Sequence, residues 1–206
     1  MLDEMNNKKN VHAFNILLLG ERDSGRRSLI LRFTDNTFNS QNFGIPWEYK
    51  TKTLNFDDKI IHCTLWIYHP GPGGEGFKKL YKYYIQKCEG IVITYDMSNK
   101  SSFEKVTNWI KEVELYSSTD KSKILVGNKC DKSEKKLTEE EGKNLADEFN
   151  MHFFETSAKT GYNVNEAFEF LVLDILKNKK TFDKAEYRLK KDDNKDKNNK
   201  NNNCIK

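Results

Sequence analysis

No apolar run in this 206-residue sequence is long enough to cross a bilayer, so any membrane contact is expected to be peripheral or through a lipid. Cysteines number only four, Cys63, Cys88, Cys130 and Cys204, and none has the spacing of a metal-ligand pair. No apolar signal segment precedes the Asn-rich, charged start from Met1 to His12, and together these absences predict a reducing, cytosolic setting. A dominant charge is lacking too. Lys and Arg number 35 against 31 Asp and Glu, a net +4 with the signs intermixed, which argues against nucleic acid as a partner.

What is present suits one core, with 36% hydrophobic residues. Phe14 to Leu19 is a short apolar run ending in Gly20, followed by a loop and by Ser28-Leu29-Ile30-Leu31-Arg32-Phe33, whose spacing suits a helix. Trp47 to Phe56 and Ile60 to Tyr68 read as a hairpin turning at Asp57-Asp58. Gly90 to Tyr95, Lys123 to Gly127 and Phe153 to Thr156 read as strands buried on both faces. Between them lie amphipathic stretches opened by expected capping boxes, Ser101 with Glu104 and Thr138 with Glu141, and a last helix spans about Val164 to Lys177.

The alternation predicts an α/β fold: a doubly wound, mixed six-stranded sheet with one antiparallel strand and ligands at the carboxyl ends of its strands. The expected organisation is an extension over 1–12, one domain over 13–180 and a Lys- and Asn-rich tail over 181–206 too poor in apolar residues to fold.

Two motifs directly follow buried strands. In Asn128-Lys129-Cys130-Asp131 the Asp131 carboxylate can accept from the N1 and N2 donors of guanine, a pair that adenine lacks. Asn128 can brace neighbouring loops and Lys129 can lay its stem across the base. In Ser157-Ala158-Lys159 the Ala158 amide can donate to the guanine oxygen. With Leu31 to Phe38, Tyr95-Asp96-Met97-Ser98-Asn99, Leu125-Val126-Gly127 and Phe154 to Gly161, these motifs give the chain a resemblance to Rab-type small GTPases of the Ras superfamily, over roughly Phe14 to Lys177.

That resemblance implies a P-loop G-domain fold, GTP or GDP as cofactor, and a role in vesicle trafficking. It maps the phosphate loop onto Gly20-Glu21-Arg22-Asp23-Ser24-Gly25-Arg26-Arg27-Ser28, in which the framing glycines are kept. Arg26 stands in place of the phosphate-binding Lys, and Arg27 in place of the magnesium-binding hydroxyl, where a guanidinium offers no lone pair. Asp23 brings negative charge and a Cβ into the cradle, while Arg22, Arg26 and Arg27 bring positive charge, and the two effects oppose each other.

Between Gln41 and Lys50 there is no Ser or Thr to serve as the first switch residue, and Gly44 or Ile45 falls nearest. The segment from Trp66 to Phe77 has neither the Asp nor the water-orienting Gln of the family, leaving His69 and Glu75 as the alternatives for positioning a water. The losses argue against Mg²⁺ and against ordinary hydrolysis. By the same resemblance Tyr49, Trp66 and Tyr84 form a face for Rab-type effectors and regulators. Cys204, one place short of a prenylation box, is a candidate lipidation site for peripheral attachment to the cytosolic face of endomembranes.

Three functional expectations follow. The first is a Rab-like guanine-nucleotide-binding protein, hydrolysis-impaired and poor in magnesium. The second is a scaffold that binds no nucleotide, and the third a slow GTPase completed by a partner.

Overall fold

The computed structural model describes residues 10–38, 47–56, 59–68, 75–117 and 121–179. Six strands form one sheet: β1 (Asn10–Gly20), β2 (Trp47–Phe56), β3 (Lys59–Tyr68), β4 (Gly90–Asp96), β5 (Ser122–Asn128) and β6 (His152–Glu155), in the order β2-β3-β1-β4-β5-β6. Only β2 and β3 pair antiparallel. Helices are α1 (Arg26–Asp35), α2 (Glu75–Lys87), α3 (Lys100–Glu104), α4 (Val106–Tyr116), α5 (Glu139–Glu148) and α6 over 164–179. This is the expected doubly wound α/β architecture.

The apolar run of β1 is continuous because both faces are covered. Phe14, Ile16 and Leu18 enter one core with Phe33 and Phe168, while Leu17 and Leu19 enter the other with Ile85, Ile110 and Tyr95. Alternate side chains of a strand point to opposite faces, so a strand without polar positions needs helices on both sides. Each fully buried aliphatic side chain contributes about 1.5–3 kcal/mol. The first core is keyed by Phe33 stacked on Phe168 at 4.4 Å between ring centroids.

β1 starts at Asn10, ahead of the apolar run, because Asn10 to Ala13 pair in register with Lys59 to His62 although mostly exposed. The Thr138–Glu141 capping box forms as expected. The one at Ser101 and Glu104 does not. Asn99 caps α3 instead, its side-chain oxygen accepting from the Ser101 amide at 3.1 Å, so that Ser101 lies inside the first turn rather than ahead of it. The Asp57-Asp58 turn, Gly44, Ile45, His69 and Cys204 lie outside the described residues, and Glu75 is described in its backbone only.

The carboxyl ends of β1, β4 and β5 are adjacent, and the chain leaves β1 at the point where strand order reverses. Open α/β sheets bind ligands at such a point.

Candidate functional site

The loop from β1 into α1 is shaped by two glycines. Gly20 has φ 136°, and a Cβ there would lie 2.1 Å from the Thr94 carbonyl oxygen. Gly25 has φ 95°, and a Cβ would lie 2.2 Å from the Asn128 side-chain nitrogen. Gly25 is also the N-cap of α1 and supplies no side-chain cap, so the first amides of the helix face the loop uncapped by it. Asp23 adopts φ 65°, a left-handed conformation that Asp tolerates better than most residues, with its side chain at the surface.

Asn128, at the end of β5, is 1% exposed and connects three segments. Its Nδ2 donates to Ser24 O at 3.0 Å, and its Oδ1 accepts from the Ala158 amide at 3.2 Å and the Thr156 hydroxyl at 3.3 Å. Lys129 crosses the same gap, donating to Asp23 O at 2.5 Å and to the Asp96 carboxylate at 2.8 Å. Burial works to raise the Asp96 pKa, but hydrogen bonds from Lys129 and Ser98 outweigh it and hold the carboxyl below its usual range.

Asp131 is oriented by the buried Ser157, whose hydroxyl donates to Oδ1 at 2.6 Å, while Lys159 lies 3.9 Å from Oδ2. The fold therefore gathers Asn128, Lys129, Asp131, Ser157, Ala158 and Lys159 into one network against Ser24 and Gly25.

The arginines are placed differently from the expectation of a positive phosphate cradle. Arg26 is 3% exposed and donates to Tyr68 O at 2.5 Å, and burial lowers its pKa to about 10. Arg27 is paired with Glu48 of β2, its Nε 2.9 Å and 3.1 Å from the two carboxylate oxygens. Arg22 is exposed and Ser28 half-buried. Ser24, 1% exposed, has a hydroxyl with no partner among the described residues.

The residues present fit a guanine nucleotide on its base side, and the two glycines let the loop backbone pass directly against Thr94 and Asn128, where a Cβ would clash. Arg27 is a donor already paired with a carboxylate and offers no lone pair to a metal.

On the other side of the sheet edge Tyr49 is 59% exposed and packs on Trp66 at 4.9 Å, which packs on Tyr84 at 4.8 Å. The indole nitrogen of Trp66 donates to Asn15 Oδ1 at 3.2 Å. The three expected aromatics are one contiguous surface.

Sequence reasoning missed Arg32. From α1 its Nε donates to Ala158 O at 2.9 Å and its Nη2 to Lys159 O at 2.8 Å, while Nη1 holds both Asn36 oxygens at 3.0 Å. Its partners are mostly backbone carbonyls, which carry no sequence signal. Glu48 and Asp96 were missed for a related reason: each becomes meaningful only beside a partner distant in the chain.

With this geometry in place, similarity to known proteins is informative. The profile of the Ras family matches residues 15–177. The chain is 37% identical over 167 residues to "Ras-related protein Rab-13" of Rattus norvegicus, covering 80% of this chain and 81% of that protein. It is 35% identical over 167 residues to "Ras-related protein Rab-8B" of Homo sapiens, covering 80% and 79%. To "Ras-related protein Rab-8B" of Dictyostelium discoideum it is 36% identical over 181 residues, covering 86% and 88%.

Proposed function

The chain belongs to the Ras family as a Rab-type small GTPase, and from that premise we propose that it holds GDP or GTP without magnesium and with hydrolysis impaired, as a constitutive trafficking scaffold. One observation carries the reading: the base-side network is intact while Arg27 is engaged by Glu48. In the proposed role Asp131, oriented by Ser157, accepts from guanine. Asn128 fixes the base-side loops to the phosphate loop, Lys129 spans the two, and the glycine-framed backbone from Gly20 to Ser28 receives the phosphates. When bound, the nucleotide supplies the negative charge to which the loop amides respond.

The domain over 13–180 is the nucleotide-binding unit in this reading. Tyr49, Trp66 and Tyr84 meet effectors, and Cys204 is the candidate attachment to the cytosolic face of endomembranes. No helix among the described residues is long and apolar enough to cross a membrane, which fits peripheral attachment.

The test is nucleotide content. Purified full-length protein, denatured and separated by ion exchange, is expected to release close to one equivalent of GDP or GTP, and absence of nucleotide would overturn the reading.

A second reading, a scaffold that binds no nucleotide, is favoured by Arg26 being buried on Tyr68 O and by Ala158 N already donating to Asn128. The same assay separates the two.

A further inference from the structure

The face of β2 that meets α1 carries Glu48, Lys50 and Lys52, alternate residues that by strand periodicity share one side. Each is bonded to α1: Glu48 to Arg27, Lys50 to Asp35 at 2.8 Å, and Lys52 to the Phe33 carbonyl. Tyr49 belongs to the opposite set, outward, against Trp66. The three ties are unequal. The Lys50–Asp35 side chains are 39% exposed each, open to screening by salt, whereas those of Arg27 and Glu48 are 19% and 21% exposed and nearer the phosphate loop.

In the Rab-type resemblance the position of Arg27 is the one that links the phosphate loop to the first switch through a metal. Here the same position reaches β2 directly, through a cation that is part of the chain. A guanidinium is always charged and matches a carboxylate through fixed N–H donors, so the link needs neither a divalent ion nor a γ-phosphate.

We infer that the Arg27–Glu48 pair, continued by the ties of Lys50 and Lys52, replaces the metal as the link between the phosphate loop and the strand bearing Tyr49. The aromatic face is thereby held in one arrangement in all nucleotide states. The inference deepens the proposed function and rests on it for the role of the nucleotide, but not for the existence of the link. A second consequence is that Arg27 is unavailable as a phosphate ligand, since moving its guanidinium would leave the Glu48 carboxylate two-fold unpaired.

The experiment is hydrogen exchange on the full chain, following the amides of residues 48–52, with those of β5 as internal reference. It is run nucleotide-free, with GDP, and with GDP plus Mg²⁺. In the parent, protection over 48–52 is expected to agree within about twofold across the three conditions. R27S, which also restores a hydroxyl at that position, and E48Q are each expected to raise exchange over 48–52 about tenfold while leaving β5 unchanged. The R27S/E48Q double variant is expected to be no faster than either single variant, because both remove the same pair.

The inference is overturned if protection in the parent requires GDP and Mg²⁺, if the single variants leave exchange unchanged, or if their effects multiply in the double variant. Should a variant fail to fold, the three-condition comparison on the parent still decides. Should GDP fail to bind at all, the proposed function falls, and the nucleotide-free arm still decides whether the link exists.

Discussion

Asn128 donates from Nδ2 to the carbonyl oxygen of Ser24 at 3.0 Å, so one buried side chain joins the loop after β5 to the loop after β1. Its Oδ1 at the same time receives the Ala158 amide. The loops after β1, β5 and β6 are therefore mechanically one unit.

N128A leaves the Ser24 carbonyl and the Ala158 amide without that partner in a buried setting. Each orphaned group costs about 1–3 kcal/mol, so the nucleotide-free protein is expected to lose about 2–6 kcal/mol. Urea denaturation of stripped protein measures it, and an unchanged midpoint would refute the bracing role.

D131A is expected to weaken GDP binding about a hundredfold, since it removes the carboxylate that the Ser157 hydroxyl orients at 2.6 Å. An inosine diphosphate, which lacks the exocyclic amino group, should lose much less. Competition calorimetry with the two nucleotides reads the difference, and equal losses would mean that Asp131 does not face the base.

R32M removes the guanidinium that holds the Ala158 and Lys159 carbonyls to α1. The expectation is faster release of GDP, about tenfold, for a loss of about 1.4 kcal/mol. R32K, which keeps the charge but not the fork, should recover only part of it. Stopped-flow release with a fluorescent GDP analogue provides the test; full recovery in R32K would assign the effect to charge alone.

The Asp96 carboxyl sits below its usual pKa because hydrogen bonds from Lys129 and Ser98 overcome the opposing effect of burial. The unfolded chain therefore binds a proton more readily than the folded one, and stability rises with pH through that interval. Its contribution is full above the ordinary Asp range, about 3.9, and is lost as pH falls through the lower folded value. Urea midpoints of parent and D96N should differ by a constant amount at neutral and mildly acidic pH and converge only below about pH 4. A difference that grew on acidification would contradict the assignment.

Much of this was legible in the sequence. The unbroken apolar runs of β1, β4 and β5 identified strands buried on both faces, and the placement of Asn128 and Asp131 directly after such a run put their loop at the carboxyl edge of the sheet, beside Ser24 and Ala158. Local signals failed where two competed: Asn99 outbid Ser101 for the start of α3 because its side chain reaches the Ser101 amide. What the sequence hid was pairing across topology. Arg27 read as a lost metal ligand and a source of charge for phosphate, but its partner Glu48 lies on β2, and only the packing of α1 against that strand reveals that the charge is already matched. Arg26 read as a phosphate ligand for the same reason, and its engagement with Tyr68 O required the end of β3 to be in place.

The central claim, guanine nucleotide held without a metal, is tested most directly by titration calorimetry of GDP into nucleotide-stripped full-length protein, once in excess Mg²⁺ and once in excess EDTA. The account predicts affinities that agree within about threefold, a difference of less than 1 kcal/mol. Binding that appears only with Mg²⁺, or no binding in either buffer, would contradict it.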